Sequence, residues 1–306
     1  MKIAITGGAG FIGSNIADAY ISAGHEVVII DNLTTGRREN INPEARFIEM
    51  DIRDGRIKEL FEKEKFDILN HHAAQMDVRV SVERPTYDAD VNILGTLNLL
   101  QSACENNIKK VIFASSAGVV YGEQDYFPAD EEHPKRPCSP YGVAKLSVEY
   151  YLGYYKQVFG IPFAALRYTN VYGPRQNPYG EAGVVGIFTK KMLSGGQPYI
   201  NGDGKTTRDY VFVHDVVQAN ILALNDDFKG IYNISTGVEK DVNYIFHTLK
   251  KLTGSNCNQI HSEPKLGEQR RSVCSFRKIN EKYGWSPKVN LEEGLRLTVD
   301  WFKANG

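Results

Sequence analysis

The chain has 306 residues, 42% of them hydrophobic, with 36 Lys and Arg against 37 Asp and Glu. A length of this order suggests roughly two domains, the balanced charge argues against a nucleic-acid partner, which needs an excess of Lys and Arg, and no apolar run approaches the ~20 residues that cross a bilayer. Cys104, Cys138, Cys257 and Cys274 have no paired spacing, and the N-terminal segment turns Gly-rich too soon for a signal peptide, so a cytoplasmic protein with reduced thiols is expected.

Lys2 to Thr6 reads as a short apolar strand running into Gly7-Gly8-Ala9-Gly10-Phe11-Ile12-Gly13. Ile12, Ile16, Tyr20 and Ala23 then recur at helical spacing, and Gly24 marks the stop. Gly7, Gly10 and Gly13 place no side chain between the backbone and a pyrophosphate, and Phe11 and Ile12 open a helix whose free N–H groups suit the anion. The spacing G-x-x-G-x-x-G is a variant of the dinucleotide fingerprint, and it stands in the strand–turn–helix context that the fingerprint requires. Val27 to Ile30 is a second buried strand. It ends at Asp31, followed by Asn32, eighteen residues after Gly13. An acidic side chain there accepts both ribose hydroxyls and repels a 2′-phosphate, which selects NAD over NADP. The alternative is a loop Asp capping a turn with Asn32.

Phe47 to Met50 reads as strand three, with Asp51 and Ile52 placed to meet an adenine edge. Phe66 to Asn70 is strand four, leading into His71-His72-Ala73-Ala74-Gln75. The histidine pair lacks a second cluster at ligand spacing, so no metal is expected. Ala73 and Ala74 are small enough for a cofactor to approach closely. Val91 to Cys104 reads as a helix, and Val111 to Phe113 as strand five, ending in Ser115-Ser116. The alternation of strand and helix predicts an α/β fold, a Rossmann-like doubly wound parallel sheet that binds ligands at the C-terminal ends of its strands.

A loop rich in Pro and charge precedes Tyr141-Gly142-Val143-Ala144-Lys145, which reads as the start of a helix. Its i and i+4 positions set a phenol and an ammonium on one face. A nearby cation favours the phenolate, so the pair is a candidate proton acceptor. A surface Tyr and Lys sharing a face is the plainer reading. The same helix carries Tyr150, Tyr151, Tyr154 and Tyr155, suited either to core packing or to a helix–helix dimer interface. Strand six, Phe163 to Arg167, leads into Tyr168 and Asn170. Beyond Pro174 come a helix from Val184 to Leu193, a strand from Gln197 to Asn201, a helix from Asp215 to Leu224, and Gly230 to Ile234 as a last strand of the main sheet. Two more helices are expected after that, the final one opened by an Asn290/Glu293 capping box. The partition expected is a dinucleotide domain of residues 1–173 and 211–235 and a smaller discontinuous α/β substrate domain of residues 174–210 and 236–306.

The motifs Thr6-Gly7-Gly8-Ala9-Gly10-Phe11-Ile12-Gly13, Tyr141 with Lys145, Leu166 to Arg175 and Arg208-Asp209-Tyr210-Val211 stand together in an order that spans nearly the whole chain. In this the chain resembles the extended short-chain dehydrogenases/reductases of the nucleotide-sugar epimerase and dehydratase group, most of all the UDP-galactose (UDP-glucose) 4-epimerases. The resemblance implies Tyr141 as base and Lys145 on the nicotinamide ribose, with Tyr168 in the cofactor-binding set. It implies Asn170 on the sugar diphosphate, Arg208 and Arg270 on its phosphates, and Tyr199 stacked on the base. Relatives share the sugar hydroxyl with a Ser or Thr at the position held here by Ala117; the role then falls to Ser116, with Ser115 as fallback. Dehydratases carry Asp-Glu after their active Thr, and the xylose-forming decarboxylases carry a Glu nearby. Here Ala117-Gly118-Val119-Val120 offer no carboxylate, which favours epimerisation at carbon four of a UDP-sugar through a transient 4-keto sugar. A UDP-glucuronate epimerase, with Arg79 meeting the carboxylate, a UDP-N-acetylhexosamine epimerase and a catalytically silent dinucleotide-binding protein are the alternatives. A homodimer is also expected.

Overall fold

Val27 to Ile30 is apolar at every position, and such a strand is stable only with both faces covered. In the computed structural model, which describes residues 1–179, 183–264 and 269–305, it lies inside a seven-stranded sheet. The elements of the first half are β1 (Lys2–Thr6), α1 (Phe11–Ser22), β2 (Glu26–Asp31), β3 (Arg46–Glu49), α2 (Ile57–Glu64), β4 (Ile68–His71), α3 (Val78–Glu83), α4 (Pro85–Ala89), a π-helical turn (Asp90–Leu94), α5 (Gly95–Glu105), β5 (Lys110–Ser116), α6 (Ala117–Val120), α7 (Pro140–Phe159) and β6 (Phe163–Tyr168). There follow β7 (Asn170–Tyr172), α8 (Val184–Leu193), β8 (Tyr199–Asn201), β9 (Thr207–Phe212), α9 (Val213–Leu222), β10 (Gly230–Ile234), β11 (Glu239–Asp241), α10 (Val242–Thr253), β12 (Ile260–Ser262), β13 (Arg271–Ser272), α11 (Arg277–Tyr283) and α12 (Leu291–Asn305).

The sheet order is β10-β6-β5-β4-β1-β2-β3, and β1 pairs in parallel with β2 on one side and with β4 on the other. The chain therefore reverses its direction of travel across the sheet at β1 and β4, the point where doubly wound sheets open a ligand crevice. Two compact units result. The first comprises Met1–Val120, Pro137–Arg167 and Val217–Tyr232, and its core gathers Val28, Ile30, Leu69, Val111, Leu99, Val148 and Leu152. The second comprises Tyr121–Arg136, Tyr168–Val216 and Asn233–Gly306, with a core of Tyr172, Phe188, Tyr210, Phe212, Phe246 and Leu295. Against the partition expected above, residues 121–136, 168–173, 211–216 and 233–235 pack in this second unit. Tyr121 Oη donates to Asn233 Oδ1 at 2.7 Å there, and β7 pairs with β9.

Three local features depart from expectation. The helix α2 is absent from the elements expected above, although its inward residues Ile57, Leu60 and Phe61 stand at helical spacing with charges between them. The helix expected from Val91 begins instead with the π turn, and there Asn92 faces inward and is buried. Three helices, not two, follow β10, because the short, charged α11 precedes α12. The cap of α12 forms as expected, with Glu293 N donating to Asn290 Oδ1 at 3.0 Å.

Candidate active site

The glycines of the first turn have different reasons to be glycine. Gly7 has φ +71°, and a Cβ there would lie 2.6 Å from the backbone nitrogen of Ala73. A Cβ on Gly13 would lie 2.3 Å from the carbonyl oxygen of Gly7. Both are demanded by the close packing of β1, α1 and the end of β4. Gly10 is not: its backbone is extended at φ −79°, and a Cβ would meet only the Gly7 oxygen, at 3.2 Å. It caps α1 without a side-chain hydrogen bond, so the first-turn N–H groups that begin at Phe11 and Ile12 have no acceptor within the helix. A smooth concave backbone with uncommitted donors suits a pyrophosphate.

Asp31 closes the turn from β2. Its Oδ2 accepts from Ala9 N at 3.0 Å and its Oδ1 from Leu33 N at 2.8 Å. Burial raises its pKa against these two bonds. A carboxylate has about four acceptor sites, so acceptor capacity remains for a pair of ribose hydroxyls. Asn32 donates to Asp51 Oδ2 at 2.8 Å, and Arg53, through its hydrogen bond, holds the Asp51 carboxyl far below the usual range. The Ile52 side chain is committed to the core, and its carbonyl accepts from Asn98 at 2.8 Å. Ala73 abuts Gly7, and Ala74 is half-buried. His71 is held between Thr6 Oγ1 at 2.6 Å and Thr96 Oγ1 at 2.9 Å, a use internal to the fold.

The helix carrying the Tyr–Lys pair is set by local chemistry. Ser139 is its N-cap, accepting from Gly142 N at 3.1 Å; Pro140 follows at the first turn, and Gly160 ends the helix at φ +72°. Lys145 is 4% exposed. Its Nζ donates to Ala114 O of β5 at 2.8 Å and lies 5.6 Å from the centre of the Tyr141 ring. The pair thus shares one inward face, which excludes the plainer surface reading. Burial pulls the Lys145 ammonium down to about 8, while Asp88 and Glu149 oppose that shift. The phenol of Tyr141 departs from expectation: burial, followed by the Asp88 carboxylate, pushes it up rather than down.

Ser115 Oγ donates to Glu149 Oε1 at 2.6 Å, and Arg167 holds the same carboxylate through Nε at 2.9 Å and Nη2 at 2.6 Å. Ser115 is therefore turned into a buried network. Ser116, half-buried at the end of β5 beside the fully buried Ala117, is the hydroxyl left at that strand end. Gln75, Asp88, Asn92, Glu149 and Arg167 form no part of the sequence-derived set. The only signal for them is polar residues at positions that helical and strand periods reserve for the interior.

In the second unit, Tyr168 ends β6 and is 5% exposed, while Asn170 starts β7 and is exposed. Strand pairing sets Ser272 opposite Arg208 and Arg271 opposite Thr207, and Thr207 N donates to Arg270 O at 3.0 Å, so Arg270 lies just ahead of β13, beside the start of the strand that carries Arg208. The Arg270 side chain is 75% exposed, with Asp203 at 3.7 Å, whereas Arg271 pairs with Glu239 at 2.7 Å and lies over Phe127. Tyr199, on the two-stranded sheet of β8 and β12, is 51% exposed. Of the aromatic cluster on α7, only Tyr155 enters the core; Tyr150, Tyr151 and Tyr154 remain on the surface.

A switch-point crevice flanked by a glycine turn, a strand-two acid and a buried Tyr–Lys pair defines an enzyme of the dinucleotide-dependent short-chain dehydrogenase/reductase type. The profile described as "NAD dependent epimerase/dehydratase family" matches residues 3–235. A protein of Methanocaldococcus jannaschii is 48% identical over 303 residues, 99% of each chain. A solved UDP-glucose 4-epimerase of Thermotoga maritima, bound to UDP-glucose, superposes with TM-score 0.97 at 46% identity, covering 99% of each chain. The Thermus thermophilus UDP-glucose 4-epimerase in complex with NAD gives TM-score 0.95 at 41% identity over 100% of each chain. The chain belongs to the NAD dependent epimerase/dehydratase family.

Proposed function

We propose that this enzyme interconverts UDP-glucose and UDP-galactose by inverting carbon four. One observation carries the reading: Tyr141 and Lys145 share the inner face of α7, with the Lys145 ammonium fixed on the end of β5. In this reading Tyr141 Oη takes the proton of the 4-hydroxyl and returns it to the 4-keto oxygen after the sugar has turned over. Lys145 orients the nicotinamide ribose, and Ser116 shares the sugar oxygen. The glycine turn from Gly7 to Gly13 carries the pyrophosphate, Asp31 and Asn32 the adenosine ribose, Asp51 and the Ile52 backbone the adenine edge, and Ala73, Ala74 and Tyr168 line the ring end. Bound NAD supplies the hydride acceptor and, oxidised, a positive charge that opposes the effect of burial on the phenol.

The second unit takes the UDP-sugar, with Asn170, Arg208 and Arg270 on the diphosphate and Tyr199 on the base. The planar fork of Arg matches a diphosphate better than Lys would. Arg79 disfavours the glucuronate alternative, since its guanidinium binds Asp77 at 3.1 Å at the start of α3. A UDP-N-acetylhexosamine is the second reading, favoured by 36% identity to the UDP-N-acetylglucosamine 4-epimerase of Methanobrevibacter ruminantium. We place the enzyme in the cytoplasm, on its four free cysteines, and as a homodimer through α7, where Tyr150, Tyr154, Val158 and Phe159 are each about half exposed or more. Purified protein should carry NAD, visible by absorbance, and interconvert UDP-glucose and UDP-galactose faster than UDP-N-acetylglucosamine or UDP-glucuronate and their epimers. The Tyr141→Phe variant should keep NAD and lose about 10²–10⁴-fold in rate. A variant as active as the parent removes the assignment.

A further inference from the structure

Asp88 on α4 is 1% exposed, and only half of its carboxylate is used. Oδ1 accepts from Gln75 Nε2 and Asn92 Nδ2, each at 2.9 Å. Oδ2 is buried without a hydrogen-bond partner. The residue lines a cavity of about 580 Å³ together with Ala89, Ile93, Pro140, Val143 and Ala144, so the α7 wall of that cavity is made by the residues on either side of Tyr141. A buried carboxylate oxygen without a donor costs about 1–3 kcal/mol or more. It is retained here by two amides that fix its place and orientation.

We propose that Asp88 is a positioning residue of the Tyr141–Lys145 pair, an anion fixed by Gln75 and Asn92 that sets the pH range in which the phenol takes and returns its proton. The inference rests on the epimerase reading. One phenol must act as base and then as acid within each turnover, which is efficient only when its pKa lies near the working pH. Burial raises the phenol, whereas the Lys145 ammonium and the oxidised ring of bound NAD would lower it; a fixed anion adds to burial and limits how far those cations carry it. The directions agree: Asp88 raises the phenol of Tyr141 after burial does so, and favours the charged form of Lys145 against burial. Asp88 is itself raised by burial and lowered by its two amide bonds and by Lys145.

The other titratable groups facing the pair are His71 and His72 from β4 and Glu149 from α7 itself. The remaining charges on the packed elements are engaged elsewhere. Arg79 bonds Asp77, Asp90 bonds Arg53, Arg84 lies over Tyr87, Glu105 pairs with Lys58, Lys110 donates to the carbonyls of Ala223 and Asn225, and Glu83 is exposed.

The test is an ultraviolet titration of the Tyr141 phenolate in the NAD-loaded enzyme, with Tyr141→Phe assigning the signal, beside the pH profile of kcat/KM. Asp88→Asn and the smaller Asp88→Ser should each lower the phenolate midpoint by roughly one pH unit, and the acid limb of the profile should move the same way. Asp88→Glu, which keeps the charge, should leave the midpoint near that of the parent. Neutral variants that retain NAD and an unmoved midpoint overturn the proposal. So does loss of the fold in both neutral variants while Asp88→Glu stands, since that makes Asp88 a structural residue only. The titration needs no sugar, so an enzyme whose midpoint shifts as expected but which turns over no UDP-hexose contradicts the substrate reading and leaves Asp88 in place.

Discussion

At the scale of the residue, the glycine turn separates what the fold needs from what a ligand needs. A methyl group on Gly13 would have to displace the Gly7 carbonyl, which lies 2.3 Å from the ideal Cβ and belongs to rigid backbone. Overpacking of that kind costs about 1–3 kcal/mol. A methyl group on Gly10 meets one oxygen at 3.2 Å, and the residue already has a backbone that alanine adopts freely. In the proposed cofactor site it would project toward the pyrophosphate. Gly13→Ala should therefore lower the stability of the apo-enzyme by about 1–3 kcal/mol, and Gly10→Ala, which asks the same carbonyl to move only a few tenths of an ångström, should cost less. Gly10→Ala should nevertheless weaken NAD at least tenfold, about 1.4 kcal/mol. Denaturant unfolding beside NAD titration separates the two, and equal NAD affinity in Gly10→Ala and the parent would remove Gly10 from the cofactor site.

At the scale of the element, the first turn of α7 fixes the reacting oxygen by backbone contact. A Cβ on Gly142, the residue after Tyr141, would come within 2.6 Å of the Val119 carbonyl at α6 and 3.0 Å of Pro137. Alanine is the better helix former by about 0.5–1 kcal/mol, but a clash against backbone costs about 1–3 kcal/mol, so the clash wins and the helix start moves. A displacement near 1 Å costs on the order of 10²-fold in rate, so Gly142→Ala should lose about that much kcat while the far-ultraviolet spectrum stays native. Full activity would show that the contact at Val119 does not position Tyr141. The sequence makes the pair on this element legible, because the i, i+4 spacing puts Tyr141 and Lys145 on one face. The strands are legible for a similar reason, since runs such as Val27–Ile30 belong only in a sheet covered on both sides. What surrounds the pair is not legible. Gln75, Asp88, Asn92, Glu149 and Arg167 are polar residues in the interior, scattered over four stretches of chain, and no periodicity joins them. Spacing reports the neighbouring cation at Lys145 but not the burial that raises the Tyr141 phenol in the absence of NAD.

At the scale of the whole molecule, the histidines at the end of β4 in the first unit and Asp209 in the second respond to acid in opposite directions. His72, at the end of β4 in the first unit, is held down to about 3 by burial and then by Lys145, and His71 beside it is held well below its ordinary value by the same causes. A base depressed in the folded state is neutral there and charged in the unfolded chain. The stability it contributes is present above the unfolded value of 6.5 and is lost as pH falls below it. Asp209, in the second unit, is pushed up to about 6 by burial, although Thr236 donates to it at 2.7 and 2.9 Å and Gly237 at 3.0 Å. An acid raised in the folded state gains stability as pH falls from about 6 toward its unfolded 3.8. Between pH 6.5 and 4.5, then, His72 withdraws about 2–3 kcal/mol from the first unit and His71 acts in the same direction, while Asp209 adds about 2 kcal/mol to the second. Hydrogen exchange of the NAD-loaded enzyme, corrected for the intrinsic effect of pH, should show protection lost first in β4 and α5 while β9 keeps its own. His72→Gln, which cannot take up a proton, should recover the part of that loss that His72 causes. Uniform loosening of both units, or a His72→Gln profile identical to the parent's, would place the acid sensitivity elsewhere than at the end of β4.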